Sequence, residues 1–135
     1  MDTIERPALM ENLEEVLDFV ALGLKSKIDD KKLLYQIRLV CEEIIVNVIN
    51  YAYPESTGNV RVSYNVPDDS RELTIVIYDS GIPFDPLAKD DPDINLPLNE
   101  RKIGGLGIFM VRQSMDTVSY KRENGMNVLT LKKAF

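Results

Sequence analysis

The sequence predicts an α+β fold: a two-layer α/β sandwich in which a mixed sheet carries its helices on one face. Three observations support this class. Apolar residues recur at helical spacing early in the chain, apolar and polar residues alternate in two later pairs of segments, and a short helix is predicted between those pairs. The order of two helices, a hairpin, a long loop, a helix and a second hairpin is typical of a layered α+β domain.

Two helices are predicted in the first half of the chain. Over residues 12–24 apolar side chains recur every three or four positions, and Asn12 is a candidate N-terminal cap. A longer helix is predicted over about residues 29–53, where Pro54 disfavours continuation. A short strand over residues 3–6 is expected to join the sheet.

Four further strands are predicted as two hairpins. Residues 59–66 and 72–78 form the first, joined by a Pro-Asp-Asp-Ser turn, and the second of these strands is apolar enough to be buried on both faces. A short helix is predicted over residues 106–115. Residues 117–120 and 127–131 then form the second hairpin around an Asn-Gly turn.

A long irregular segment separates the two hairpins. Residues 80–104 contain four prolines and many Asp and Asn residues, without a helical or strand period. Loops of this length inside compact domains are commonly lids or binding loops. We therefore expect a lid over about residues 81–104.

The composition restricts the chemistry open to this chain. Its 135 residues, 44% hydrophobic and 28% charged, suit a single globular domain over residues 1–135. The absence of His excludes His-dependent nucleophile triads and imidazole metal sites, and one Cys forms neither an internal disulfide nor a zinc cluster. The formal charge of -6 disfavours nucleic acid and anionic membranes as partners. We expect a cytoplasmic protein whose chemistry uses carboxylates, amides and metal.

A narrow polar stripe lies on the longer predicted helix. Glu43, Asn47 and Asn50 fall within about 60° of one another, and apolar residues border the stripe on both sides. A carboxylate and an amide four residues apart project side by side, so the carboxylate can orient a proton acceptor while the amide oxygen meets a hard cation. The alternative is a solvent-facing strip that holds two amides by chance.

The segment Asp79-Ser80-Gly81 directly follows the strand predicted to be buried. A carboxylate at a strand end can accept hydrogen bonds from the exocyclic amine of a flat ring, and Gly81 would let the backbone approach that ring closely. The alternative is an ordinary Asp-Gly turn.

Glycines precede the short predicted helix, in the segment Gly104-Gly105-Leu106-Gly107. Glycines at a helix start expose backbone N–H donors and the positive end of the helix dipole, which suits a phosphate chain. The same glycines could form the hinge of the lid, and the two interpretations are compatible. Just upstream, Arg101 and Lys102 could reach a terminal phosphate or could be solvated surface charges.

Three motifs resemble, in chain order, the three nucleotide boxes of the Bergerat-type ATPases, the superfamily of gyrase, histidine kinases and mismatch-repair proteins. They are Glu43-x-x-x-Asn47, Asp79-x-Gly81 and Gly104-Gly105-x-Gly107. Within it, the stretches EEIIVNVINYAYPE, DSGIPFDP and ERKIGGLGIFMVRQSMD are similar to those of the anti-sigma factor serine/threonine kinases. The resemblance begins at about residue 33 and implies the Bergerat ATP-binding fold. The middle box departs from the wider superfamily, because it lacks a second glycine.

The resemblance also implies roles for individual residues. Asn47 would hold Mg²⁺, Glu43 would act as or orient the catalytic base, and Asp79 would bind the adenine amine. The other predicted nucleotide-binding residues are Asn50, Gly81, Arg101, Lys102, Gly104, Gly105, Leu106 and Gly107.

The leading functional hypothesis is an ATP-dependent protein serine/threonine kinase. The resemblance implies that it uses ATP and Mg²⁺, phosphorylates an anti-sigma-factor antagonist and, in the alternate state, binds a sigma factor. A second hypothesis is a nucleotide-sensing binding module without phosphoryl transfer, and a third is a structural domain with fortuitous motifs. The oligomeric state stays open between a monomer and a homodimer.

Overall fold

The computed structural model describes residues 1–88 and 105–135 and confirms the predicted α+β class. Over these residues the chain forms five strands and three helices, with single 3-10 turns at Met10–Asn12 and Pro86–Ala88. In chain order the elements are β1 (Asp2–Pro7), α1 (Leu13–Leu24), α2 (Lys31–Tyr51), β2 (Asn59–Asn65), β3 (Glu72–Asp79), α3 (Gly105–Ser114), β4 (Thr117–Glu123) and β5 (Met126–Ala134). Among the described helices, none combines the length and apolarity that crossing a membrane would take.

The five strands form one sheet in the order β1-β2-β3-β5-β4, and each adjacent pair in the described residues is antiparallel. The sheet is thus antiparallel rather than mixed, which corrects that detail of the prediction. β3 and β4 do run in the same direction, but β5 lies between them. The second hairpin therefore inserts its last strand beside β3 and leaves no parallel neighbours.

The hydrophobic core lies between the three helices and one face of the sheet. Cross-strand pairing places Val62, Ile77 and Leu129 side by side on that face, and all three are buried. Buried residues of α1, α2 and α3 belong to the same cluster. The helices therefore cover one face of the sheet, as the sequence predicts.

The two long helices begin differently. Asp30 caps α2, because its side chain accepts hydrogen bonds from the N–H groups of Lys32 at 3.0 Å and Leu33 at 3.2 Å. Asn12 does not cap α1, contrary to the prediction, and donates its amide to the carbonyl of Pro7 at 2.9 Å instead. The 3-10 turn before α1 already winds Asn12 into a helical conformation, which removes the extended geometry of a capping residue.

The end of α2 is tied to the loop that follows β3. α2 ends at Tyr51, slightly earlier than predicted, and the carbonyl of Ala52 accepts a hydrogen bond from the N–H of Ile82 at 2.9 Å. The hydroxyl of Tyr53 accepts from the N–H of Ser80 at 3.0 Å. These two contacts bring the C-terminal end of α2 next to the C-terminal end of β3, where two of the predicted motifs lie.

Candidate functional site

A pocket opens between α2, the end of β3 and the second hairpin. It is a partly open cleft whose empty volume, including solvent at its mouth, is about 420 Å³. Its apolar lining residues are Ile44, Val48, Ala52, Ile77, Phe84, Pro86 and Leu129. The polar side chains of Asn47, Asp79, Tyr120 and Asn127 are set among them. An apolar pocket with a few convergent polar groups suits a flat, partly polar ring.

Asp79 supplies the buried carboxylate of this pocket. It is the last residue of β3 and is only 6% exposed. Its Oδ1 accepts hydrogen bonds from the N–H of Gly81 at 3.0 Å and from Nδ2 of Asn127 at 2.8 Å. Within the described residues no fully buried side-chain oxygen lacks a partner, and no donor there faces Oδ2 of Asp79. Oδ2 therefore reaches the pocket as an acceptor.

Asn127 joins Asp79 to the loop that follows it. The two residues are directly opposite in the β3-β5 pairing, and Asn127 is 5% exposed. Its Nδ2 also donates to the carbonyl of Ile82 at 2.8 Å, while its Oδ1 accepts from the N–H of Phe84 at 3.2 Å and the hydroxyl of Tyr120 at 2.6 Å. Both donor and both acceptor positions of this amide are therefore used.

Gly81 contacts α2 in the structure and is not among the residues that line the pocket. A Cβ at this position would lie 2.7 Å from the carbonyl carbon of Ala52, so glycine lets the loop close on the end of the helix. The carbonyl of Gly81 accepts a hydrogen bond from Nη1 of Arg122 at 2.8 Å. Its predicted approach to a bound ring stays a prediction.

Glu43 lies one helical turn before Asn47 on α2, where α3 begins. A Cβ added to Gly107 would lie 2.6 Å from Cδ of Glu43 and closer still to its Oε2. The backbone N–H groups in the first turn of a helix lack intrahelical acceptors and favour negatively charged neighbours. The structure therefore brings the predicted first motif and the last glycine of the third motif into contact.

The two amides of the polar stripe have different surroundings. Asn47 is partly buried and lines the pocket, whereas Asn50 is exposed one turn further along and lies outside the lining. In the described part of the chain, no three His, Cys, Asp or Glu side chains converge to hold a metal ion. A hard cation at Asn47 would complete its shell with oxygens from a ligand and water, which suits Mg²⁺ carried by a phosphate chain.

The third predicted motif lies partly within the described residues. α3 begins at Gly105 and includes Leu106 and Gly107, close to the predicted helix start. The rest of this region lies outside the described residues, namely Arg101, Lys102 and Gly104. The predicted lid from residue 89 onward lies outside them too.

Two polar residues of the pocket, Tyr120 and Asn127, lie outside the sequence motifs. For Asn127 the strand pattern does contain a signal. It occupies the first inward position of β5, and the next two inward positions are Leu129 and Leu131, which are buried in the core. A polar residue in an otherwise apolar row indicates a buried polar contact, which must be satisfied by hydrogen bonds.

Comparison with known proteins agrees with these features. Residues 6–133 match the family described as the histidine kinase-like ATPase domain. The chain is 29% identical over 99 residues to the serine-protein kinase RsbW of Bacillus cereus, and 28% identical over 99 residues to that of Bacillus mycoides. Each match covers 70% of this chain and 61% of the relative, so the chain spans about three fifths of the length of these relatives.

A solved structure shares the fold. The histidine kinase domain from the Erythrobacter litoralis EL346 blue-light activated histidine kinase aligns with a TM-score of 0.54 and 14% identity. The alignment covers 90% of this chain and 60% of that chain. At this identity the likeness concerns the fold, an α+β layer with its helices on one side of the sheet.

Proposed function

The chain belongs to the family of histidine kinase-like ATPase domains, and from that premise we propose that it is an ATP-dependent protein serine/threonine kinase. One observation carries the proposal: the pocket of Asp79 adjoins the pair Glu43 and Asn47, at the point where the first turn of α3 meets Glu43. A base pocket, a cation ligand, a proton acceptor and phosphate-binding N–H groups are the parts that phosphoryl transfer uses.

Asp79 binds the adenine in this proposal. The exocyclic amine of adenine donates to Oδ2, the carboxylate oxygen that has no donor among the described residues. The apolar lining of the pocket, from Ile44 and Val48 on α2 to Leu129 on β5, covers the faces of the ring. Burial of the ring contributes affinity, and the carboxylate contributes the preference for an amine.

Asn47 and the start of α3 hold the phosphates. Asn47 would hold Mg²⁺ through its amide oxygen. When bound, Mg²⁺ offsets the negative charge of the phosphate chain. The N–H groups of the first turn of α3, including that of Gly107, face the phosphates, because they lack intrahelical acceptors.

Glu43 is the proton acceptor. The hydroxyl of a serine or threonine on the partner protein gives its proton to the carboxylate, and its oxygen forms a bond to the γ-phosphorus. The bond between the γ-phosphorus and the β,γ-bridging oxygen breaks, and ADP leaves with that oxygen. Within the described residues, Glu43 is the carboxylate nearest to both Asn47 along α2 and the start of α3.

The partners follow from the relatives and from the resemblance of the motifs. The two Bacillus relatives carry the name serine-protein kinase, which supports a protein hydroxyl as the acceptor. The resemblance to anti-sigma factor kinases supports an anti-sigma-factor antagonist as the protein substrate, a sigma factor as the alternate partner, and the cytoplasm as the compartment.

The test is transfer of labelled phosphate from γ-labelled ATP to small serine-containing proteins encoded near this one. Glu43→Gln removes the proton acceptor but keeps the shape of the side chain, so transfer should fall by about 10²-fold or more while the affinity for ATP is kept. Glu42→Gln is the matched control, because it makes the same change one residue earlier on α2, off the Glu43-Asn47 face.

Three results are possible for the parent protein and its variants. Transfer that is lost in Glu43→Gln and kept in Glu42→Gln supports the kinase and its base. Transfer that is equally fast in Glu43→Gln contradicts the role of Glu43. A parent protein that binds Mg-ATP but phosphorylates no antagonist supports the alternative function, a nucleotide-sensing module that changes partners without phosphoryl transfer.

A further inference from the structure

We propose that Asn127 is the positioning residue that orients Asp79 and thereby sets the preference of the pocket for adenine over guanine. The inference rests on the proposed binding of ATP and adds a residue that none of the three nucleotide motifs contains. It depends on the hydrogen bonds around one buried amide, which are considered in turn.

Only one orientation of the Asn127 amide satisfies the hydrogen bonds to its neighbours. The carbonyl of Ile82 only accepts hydrogen bonds, so Nδ2 must face it, and the N–H of Phe84 only donates, so Oδ1 must face that group. These two contacts leave the second N–H of Nδ2 directed at Oδ1 of Asp79, at 2.8 Å. The hydroxyl of Tyr120 donates to the remaining position on Oδ1 of Asn127.

The donor from Asn127 determines how the carboxylate of Asp79 is held. Rotation about the last side-chain bond of an aspartate meets only a broad, shallow preference, so a carboxylate at a strand end needs contacts to fix its plane. Oδ1 of Asp79 has two such contacts, one from Asn127 and one from the N–H of Gly81. Both contacts use Oδ1 as an acceptor. Oδ2 is thus presented to the pocket as a fixed acceptor.

A fixed acceptor distinguishes the two purines. Adenine carries an amine donor at the ring position where guanine carries a carbonyl acceptor. Oδ2 of Asp79 pairs with the amine and opposes the carbonyl. If the carboxylate could swing away, the opposition to guanine would relax and the attraction to adenine would weaken. Discrimination between the purines therefore depends on Asn127, although we do not expect Asn127 itself to touch the base.

The experiment measures the dissociation constants of Mg-ATP and Mg-GTP by calorimetry for the parent protein, Asn127→Ala and Ser63→Ala. Ser63 is the matched control, because it is also a buried polar strand residue, 5% exposed and hydrogen-bonded to the hydroxyl of Thr3 at 2.8 Å. It lies on the face of the sheet opposite to the core. Asn127→Ala should lower the ratio of GTP to ATP dissociation constants by about tenfold, and Ser63→Ala should leave it unchanged.

A double variant separates positioning from general stabilisation. If Asn127 acts through Asp79, then Asn127→Ala should change the ratio in the parent protein but not in the Asp79→Ala background, where residue 79 has no polar group left to orient. A loss of packing alone would weaken the binding of both nucleotides to the same extent and leave the ratio unchanged. An unchanged ratio in Asn127→Ala would overturn the inference while leaving the proposed function in place. A parent protein that binds neither nucleotide would overturn both.

A measurement on the parent protein covers the case in which Asn127→Ala does not fold. The side-chain amide signals of Asn127 in a nitrogen-15 NMR spectrum report its hydrogen bond to Asp79. Mg-ATP should shift these amide signals, because the adenine amine and Asn127 then donate hydrogen bonds to the same carboxylate. Mg-triphosphate, which has no base, should leave the signals unshifted. Equal responses to ATP and triphosphate would overturn the inference.

Discussion

The carboxylate of Glu43, on α2, lies against the backbone of Gly107, in the first turn of α3, so that a Cβ on residue 107 would lie 2.6 Å from Cδ of Glu43. The two residues belong to different predicted motifs and are far apart in the sequence. Their contact joins the proposed proton acceptor to the proposed phosphate-binding helix start. Any side chain at residue 107 must therefore displace either the carboxylate of Glu43 or the start of α3.

Gly107→Ala should therefore lower the rate of phosphoryl transfer. Alanine favours the helix by about 1 kcal/mol over glycine, so α3 itself should not be weakened. The added methyl group moves the carboxylate of Glu43, and a displacement of about 1 Å at a reacting group costs about 10²-fold in rate. Transfer of labelled phosphate and thermal unfolding, measured on the same samples, check the two halves of this prediction.

Gly23→Ala is the control for Gly107→Ala. Gly23 is also helical, and a Cβ there would also meet the end of a side chain, the hydroxyl of Tyr64, but in α1 and away from the pocket. It should leave phosphoryl transfer unchanged. Equal transfer rates in Gly107→Ala and the parent protein would mean that the contact with Glu43 has no part in the reaction.

The sequence predicts spacing within one helix better than contacts between helices. Helical spacing on α2 correctly places Glu43 one turn from Asn47, because that relationship is local. The contact between Glu43 and Gly107 depends on how α3 packs on α2, which no local pattern encodes. For the same reason no local pattern encodes the close approach of Gly81 to Ala52, and the predicted approach of Gly81 to a bound ring stays a prediction.

Asn47→Ala should remove the dependence of ATP binding on Mg²⁺. Asn47 lines the pocket and is the proposed protein ligand of the metal, so its loss should weaken the binding of Mg-ATP by about tenfold. In the presence of a chelator, the affinities of variant and parent protein for ATP should agree. Asn50→Ala makes the same change one turn later at an exposed position and should have a smaller effect. A larger effect in Asn50→Ala would indicate that Asn50, rather than Asn47, binds the metal.

Cys41 should be unreactive in the folded protein. The thiol is fully buried in α2, and this burial raises its pKa from 9.0 to about 12. Because the thiolate is the reactive form, an alkylating reagent at about pH 8 should modify Cys41 only in the unfolded chain. Mg-ATP, which in the proposed function binds the folded state, should slow the modification further in dilute denaturant. Rapid alkylation without denaturant would contradict the burial of this residue.

The raised pKa of Cys41 also predicts how the free energy of unfolding changes at high pH. The raised pKa means that the folded protein keeps the proton of Cys41 when the unfolded chain has lost it. The contribution to stability is therefore complete below about pH 9 and is lost as the pH rises towards about 12. Over that range the free energy of unfolding should fall by up to about 1.4 kcal/mol per pH unit more in the parent protein than in Cys41→Ala. Urea titrations of both proteins measure the difference.

The fold is predictable from the sequence to the extent that its signals are local. The start of α2 lies close to its predicted position, and the cap by Asp30 is a local contact that acts within three residues. β5 extends to Ala134, beyond the predicted strand end, because pairing with β3 overrides the low strand preference of Lys132 and Lys133. The prediction of Asn12 as a cap is wrong because a turn not evident in the pattern precedes it.

Asp79→Asn should reverse the nucleotide preference of the pocket. The N–H of Gly81 and Nδ2 of Asn127 both donate to Oδ1 of Asp79, so an asparagine at this position must direct its carbonyl oxygen towards them. Its amide nitrogen then takes the place of Oδ2 and presents a donor to the pocket. A donor opposes the amine of adenine and pairs with the carbonyl of guanine.

The expected result is a loss of ATP affinity of about ten- to 100-fold, since a buried donor facing a donor costs about 1–3 kcal/mol, together with a gain in GTP affinity. Calorimetry with both nucleotides measures the two changes. Asp68→Asn is the charge-matched control, because this carboxylate is 95% exposed and pairs with Lys27 away from the pocket. Since both variants lose one negative charge, a general electrostatic effect on a polyanionic ligand would strengthen binding of both nucleotides in each variant. Only a direct contact between residue 79 and the base makes the affinities for ATP and GTP move in opposite directions, so parallel changes would exclude Asp79 from base recognition.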